Sequence, residues 1–79
     1  MASTRRVVLY SAAGCHLCEA ALEVVREVCG RAFELVEIDG EPELEARYRE
    51  HLPVLEIDGE RAFTFFVEPD ALRERLAAP

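Results

Sequence analysis

Apolar residues recur along this chain in two rhythms. Residues 5–10 (RRVVLY) gather β-branched and aromatic side chains and predict a short strand. Ser11-Ala12-Ala13-Gly14 is small and flexible, a strand-to-helix turn. From Cys15 to Cys29 the spacing becomes helical. Leu17, Ala21, Val24, Val25 and Val28 share one face, while Glu19, Glu23, Arg26 and Glu27 share the opposite face. Gly30 stands where a helix C-cap is expected. Residues 33–38 (FELVEI) alternate and predict a second strand, followed by a turn at Asp39-Gly40-Glu41. Pro42 suits a helix first turn and opens a short charged helix over residues 42–50.

Pro53 cannot continue that helix and opens a strand over residues 53–57 (PVLEI). Asp58-Gly59 between two apolar runs is a strong hairpin signal, with the second arm over residues 60–66 (ERAFTFF). Glu68-Pro69-Asp70 starts a last helix through Ala77. The order is β-α-β-α-β-β-α. Its first half makes a right-handed parallel βαβ unit, and its second half is a hairpin followed by a helix. No repeat, linker or low-complexity stretch divides the 79 residues, so they are expected to form one domain, 1–79.

Charge narrows the function classes. The formal net charge is −7, and a nucleic-acid binder needs a basic face to displace counterions from phosphates. The expectation is therefore no nucleic acid, and by the same reasoning no anionic membrane surface. No apolar stretch approaches the roughly 20 residues of a membrane span, and the N-terminus lacks the apolar region of a secretion signal. A reducing cytoplasm is the expected compartment. There, a CxxC is catalytic or metal-binding more often than it is a structural disulfide.

The chain has three cysteines, too few for a disulfide scaffold. Cys15-His16-Leu17-Cys18 falls at the start of the first helix. Unpaired N–H groups and the positive end of the helix dipole favour a thiolate there, and the thiolate is the attacking species. Cys15 is the expected exposed nucleophile. Cys18, on the same side of the first turn, is the expected buried thiol that resolves a mixed disulfide. One CxxC supplies two ligands, whereas a structural zinc site usually takes four. An intersubunit metal or iron–sulfur site and inert cysteines remain the alternatives. Cys29 lies roughly 21 Å from Cys15 by helical rise and cannot share a site with it. It reads as a small buried hydrophobe. His16 either adds positive charge beside Cys15 or simply faces solvent. His51 reads as a helix C-terminal residue favoured by the dipole.

VVLYSAAGCHLC at 7–18 resembles the strand–turn–CxxC entry of glutaredoxins, and LPVLEIDG at 52–59 resembles their proline, strand and hairpin-turn segment. The resemblance runs from Val7 to Leu76 and is closest to the small bacterial glutaredoxin-like proteins. It implies an α/β, thioredoxin-like fold of glutaredoxin type, with a four-stranded mixed sheet and three helices. It implies Cys15 as nucleophile, Cys18 as resolving cysteine, and Pro53 as a cis-proline facing them. The backbone of Leu52 would then pair with an extended substrate strand, and the proline would crowd the thiols against metal.

The chain also departs from the family. Ala12 and Ala13 stand where many glutaredoxins carry a basic residue, and Phe63-Thr64-Phe65-Phe66 replaces a Gly-Gly turn and an acidic residue. Glutathione is a possible reductant, but its usual binding residues are weak or missing. Tyr10 and the aromatic cluster near Phe65 either line an apolar rim for a protein substrate or pack in the core. The expected activity is thiol–disulfide oxidoreduction on protein or small disulfides by a monomer. It requires no bound cofactor and no metal, and its upstream reductant is unspecified. The competing reading is a non-catalytic module, either a docking or redox-sensor domain or an intersubunit iron–sulfur or metal carrier.

Overall fold

The computed structural model describes residues 5–77. Strand β1 (Val7–Ser11) is buried along almost its whole length, as a central strand rich in β-branched residues should be. The helix α1 (His16–Cys29) follows and returns the chain to β2 (Glu34–Glu37), which pairs parallel to β1 with Val8 opposite Glu34. Next come α2 (Pro42–Tyr48), one turn of 3-10 helix (Arg49–His51), and the hairpin β3 (Val54–Ile57) and β4 (Glu60–Thr64). The last element is α3 (Pro69–Ala77). The strand order is β2-β1-β3-β4, with β3 antiparallel to both β1 and β4. This is the mixed four-stranded sheet with three helices that the sequence implied.

Period-two alternation splits the core across the sheet. Val7, Leu9, Leu55 and Ile57 point to one face, where Ala21 and Val25 of α1 and Leu72 of α3 cover them. Val54 points to the other face, which holds Tyr48 of α2, Ile38, Leu52, Ala12 and Cys18, with Tyr10 packed against them. The hairpin turn has φ 54° at Asp58 and 83° at Gly59. Two successive positive values make the tight turn whose twist matches the strands. The Asp58 carboxylate accepts from the Arg6 backbone N–H at 2.9 Å, and the Asp58 N–H donates to the Arg6 carbonyl at 2.8 Å, so the turn is fastened to the start of β1.

Two element ends and one burial assignment depart most from the sequence reading. The charged helix over residues 42–50 stops being α-helical at Tyr48 and tightens into the 3-10 turn. Strand β4 ends at Thr64 rather than 66, because Phe65 turns to φ 67°. Leu17, placed on the buried face of α1 by periodicity, is 39% exposed. It sits in the first turn of α1, where Cys18 rather than Leu17 takes the buried position.

Candidate active site: a dithiol at a helix N-cap

Cys15 is the N-cap of α1, with extended backbone angles. Gly14 before it takes φ 74°, a left-handed turn that an L side chain adopts only at a cost and that aims the chain into the helix. The Cys18 backbone N–H donates to Cys15 Sγ at 3.1 Å, so a sulfur occupies the capping position usually held by an oxygen. Cys15 and Cys18 form a disulfide, with their Cα atoms 5.2 Å apart. The two are unequal: Cys15 is half-buried, and Cys18 is 2% exposed within the second core cluster.

The loop before Cys15 is held from a distance. Ala13 donates its N–H to Asp39 Oδ2 at 2.9 Å. Asp39 also pairs with Arg49 at 3.5 Å, and Arg49 pairs with Glu45 at 3.2 Å. Ile38, just before Asp39, donates to the Ser11 carbonyl at 2.9 Å. These bonds tie the approach to the nucleophile to the helical turn that leads into Leu52. The Leu52-Pro53 peptide is cis and both residues are buried. The Pro53 carbonyl accepts the Phe65 N–H at 3.0 Å.

Of the residues singled out from sequence, Cys15, Cys18, Tyr10 and Leu52 meet in one apolar cluster, with Pro53 between its members Leu52 and Val54. His16 stays exposed on the first turn of α1. Tyr10 and Phe65 take different ring partners. The Tyr10 ring stacks on Tyr48 with centroids 4.1 Å apart and planes at 16°, whereas Phe65 lies against His51 at 6.3 Å. Cys29 sits at the far end of α1, half-buried, and burial pushes its thiol pKa up. Among the described residues, no three His, Cys, Asp or Glu side chains converge as a metal site.

Sequence reasoning missed the Tyr48–Glu56 pair. The Tyr48 hydroxyl donates to Glu56 Oε2 at 2.6 Å beneath the Tyr10 stack, and Arg61 lies over the Tyr48 ring at 5.6 Å. Burial, and secondly the Glu56 carboxylate, hold the Tyr48 phenol proton well above the usual tyrosine range. Asp39 was missed as well. It was read only as part of a turn, and its bond to Ala13 spans 26 positions.

The profile described as Glutaredoxin-like domain (DUF836) matches residues 6–77. The chain belongs to this glutaredoxin-like family. A crystal structure of a structural-genomics target protein from X. campestris is 35% identical, with a TM-score of 0.79, covering 92% of this chain and 99% of that one. The solution structure of a Nitrosomonas europaea protein is 29% identical at TM-score 0.72, covering 98% of this chain and 96% of its own. Both are small bacterial proteins. A thioredoxin from Halobacterium salinarum, 22% identical at TM-score 0.65, covers 94% of this chain and 73% of its own length and shares the fold. No curated protein matches at a significant level. Among the described residues, no helix is long and apolar enough to cross a membrane.

Proposed function

We propose that this glutaredoxin-like protein is a cytoplasmic thiol–disulfide oxidoreductase that reduces protein or small disulfides with its Cys15/Cys18 dithiol. The inequality of the two cysteines carries this reading. One sulfur is half-exposed at a helix N-cap and the other is buried one turn later, linked to it in the oxidised form.

In the reduced protein, the helix dipole and the Cys18 N–H stabilise negative charge on Cys15 Sγ. The thiolate attacks one sulfur of the substrate disulfide. A bond forms between Cys15 and that sulfur as the substrate S–S bond breaks, and the departing thiolate takes up a proton. Cys18 then gives up its proton and attacks Cys15 Sγ, forming the intramolecular disulfide and releasing the second substrate thiol. The substrate gains two electrons from the dithiol and two protons, one from solvent on the first departing thiolate and one from Cys18 on the second, and the pair ends as the disulfide. A thiol reductant, either two monothiols such as glutathione or one dithiol protein, restores the reduced pair. The charge of −7 opposes the anionic tripeptide and favours the dithiol protein.

Disulfide turnover by wild type, Cys15→Ser and Cys18→Ser tests the proposal. Cys15→Ser is expected to be inactive. Cys18→Ser is expected to accumulate a mixed disulfide on Cys15, visible as added mass. Absence of cysteine-dependent turnover in wild type with both kinds of reductant would overturn it.

A further inference from the structure

An apolar groove of about 280 Å³ opens along the N-terminal half of α1. Leu17, Ala20 and Val24 of α1 form one wall, and Phe65 and Phe66 after β4 form the other. Leu17 lies between the two cysteines in sequence, so the groove begins at the reacting end of the helix. Its aromatic wall is fixed to the proline arm by the Phe65 N–H bond to the Pro53 carbonyl. Phe66 is 71% exposed, the most solvent-exposed of the large apolar side chains. Phe65 holds φ 67°, an unfavourable setting for an aromatic residue, and the turn it makes ends β4 and begins the wall. Among the described residues, Glu68 is the only charged one lining the groove.

Resting on the oxidoreductase reading, we propose that this groove selects the substrate. It takes a large apolar side chain next to the reactive cysteine of an extended polypeptide, and that polypeptide carries cationic residues around it. The apolar walls call for an apolar side chain. The lone Glu68 and the net charge of −7 call for a positive partner, by charge complementarity and by steering during encounter. A glutathione disulfide offers neither feature, since it is anionic and has no large apolar side chain to place against Leu17 and Phe66.

Two disulfide-bonded peptides of equal length provide the test. In one, the cysteine is flanked by Leu and Arg, and in the other by Ser and Glu. With excess dithiol reductant, wild type is expected to prefer the first in kcat/KM by about tenfold, equivalent to about 1.4 kcal/mol. Phe66→Ser, at an exposed position that leaves the core untouched, should shrink that preference to roughly twofold, chiefly by raising KM for the first peptide. Glu68→Arg should weaken the charge part of the preference. Equal rates for the two peptides in wild type, or an undiminished preference in Phe66→Ser, would overturn the inference.

A second measurement separates this inference from the reading it rests on. A first-peptide analogue with Ser in place of its cysteine is titrated into the oxidised protein, and amide resonances are followed. Shifts centred on Leu17, Phe66 and Val67 support the groove even if neither peptide is turned over, a result that sinks only the redox reading. Shifts confined to another surface sink the groove.

Discussion

Replacing Tyr48 with Phe keeps a ring and removes one oxygen. The ring remains stacked on Tyr10, so α2 keeps its apolar seat on the sheet. What is lost is the 2.6 Å bond donated to Glu56. A hydrogen bond to a charged acceptor contributes about 1.5–3 kcal/mol. Glu56 is only half-buried, so water takes over part of the role and the expected loss falls to about 1–2 kcal/mol. For a domain of this size, each kcal/mol lowers Tm by roughly 4–8 °C.

The pH dependence separates this cause from a packing defect. Tyr48's proton is held above its ordinary range, first by burial and then by Glu56. The folded-state pKa therefore exceeds the unfolded one. The stability it supplies is complete below about pH 10 and drains away as pH rises toward the folded-state value. Wild type should weaken on alkaline titration through this group. Tyr48→Phe should not, and the gap between the two proteins should narrow. Urea unfolding at neutral and alkaline pH measures both quantities, and Glu56→Gln closes a double-mutant cycle. Equal stability at neutral pH, or parallel alkaline decline in the two proteins, would refute the reasoning.

Other perturbations test other parts of the molecule. Asp39→Ala removes the acceptor of the Ala13 N–H; it should cost about 1 kcal/mol and speed hydrogen exchange at Ala13, with unchanged protection there counting against the clamp. Leu72→Ala empties a fully buried position between α3 and the sheet, an expected loss of about 2–5 kcal/mol in denaturant unfolding. Gly14→Ala adds a Cβ that meets nothing within 4 Å, so its cost should be conformational alone, about 1–2 kcal/mol from the φ of 74°. A far larger loss on thermal melting would mean that Gly14 is tightly packed.

The element order was legible because each segment carries its own period. Val7 and Leu9 alternate with Val8 and Tyr10, and Ala21 and Val25 repeat at one helical turn. The dithiol was legible for a related reason: both cysteines and the helix start they need lie within four consecutive residues. Legibility failed where tertiary contacts decide. FTFF is continuously apolar, and its pattern holds no sign that the backbone turns at Phe65, a residue type that rarely takes a positive φ. Leu17 fits the helical stripe, but in the first turn the buried position goes to Cys18. Residues 42–50 look uniformly charged and solvated, yet Tyr48 among them is 2% exposed, with its hydroxyl on a glutamate eight positions later. Asp39 reached Ala13 only after β2 had come alongside β1.

The antiparallel pairing of β1 with β3 also sorts the molecule by task. Tyr10 lies opposite Val54 at one end of that pair, and Val7 lies opposite Ile57 at the other. The first end carries both loops that make the redox site. The second carries the Asp58-Gly59 turn, bound to Arg6. A dye, an affinity handle or a tether to another protein placed at that turn would therefore sit across the length of the sheet from the sulfurs. The polypeptide could be read out or anchored from there while its reacting end stays open to substrates.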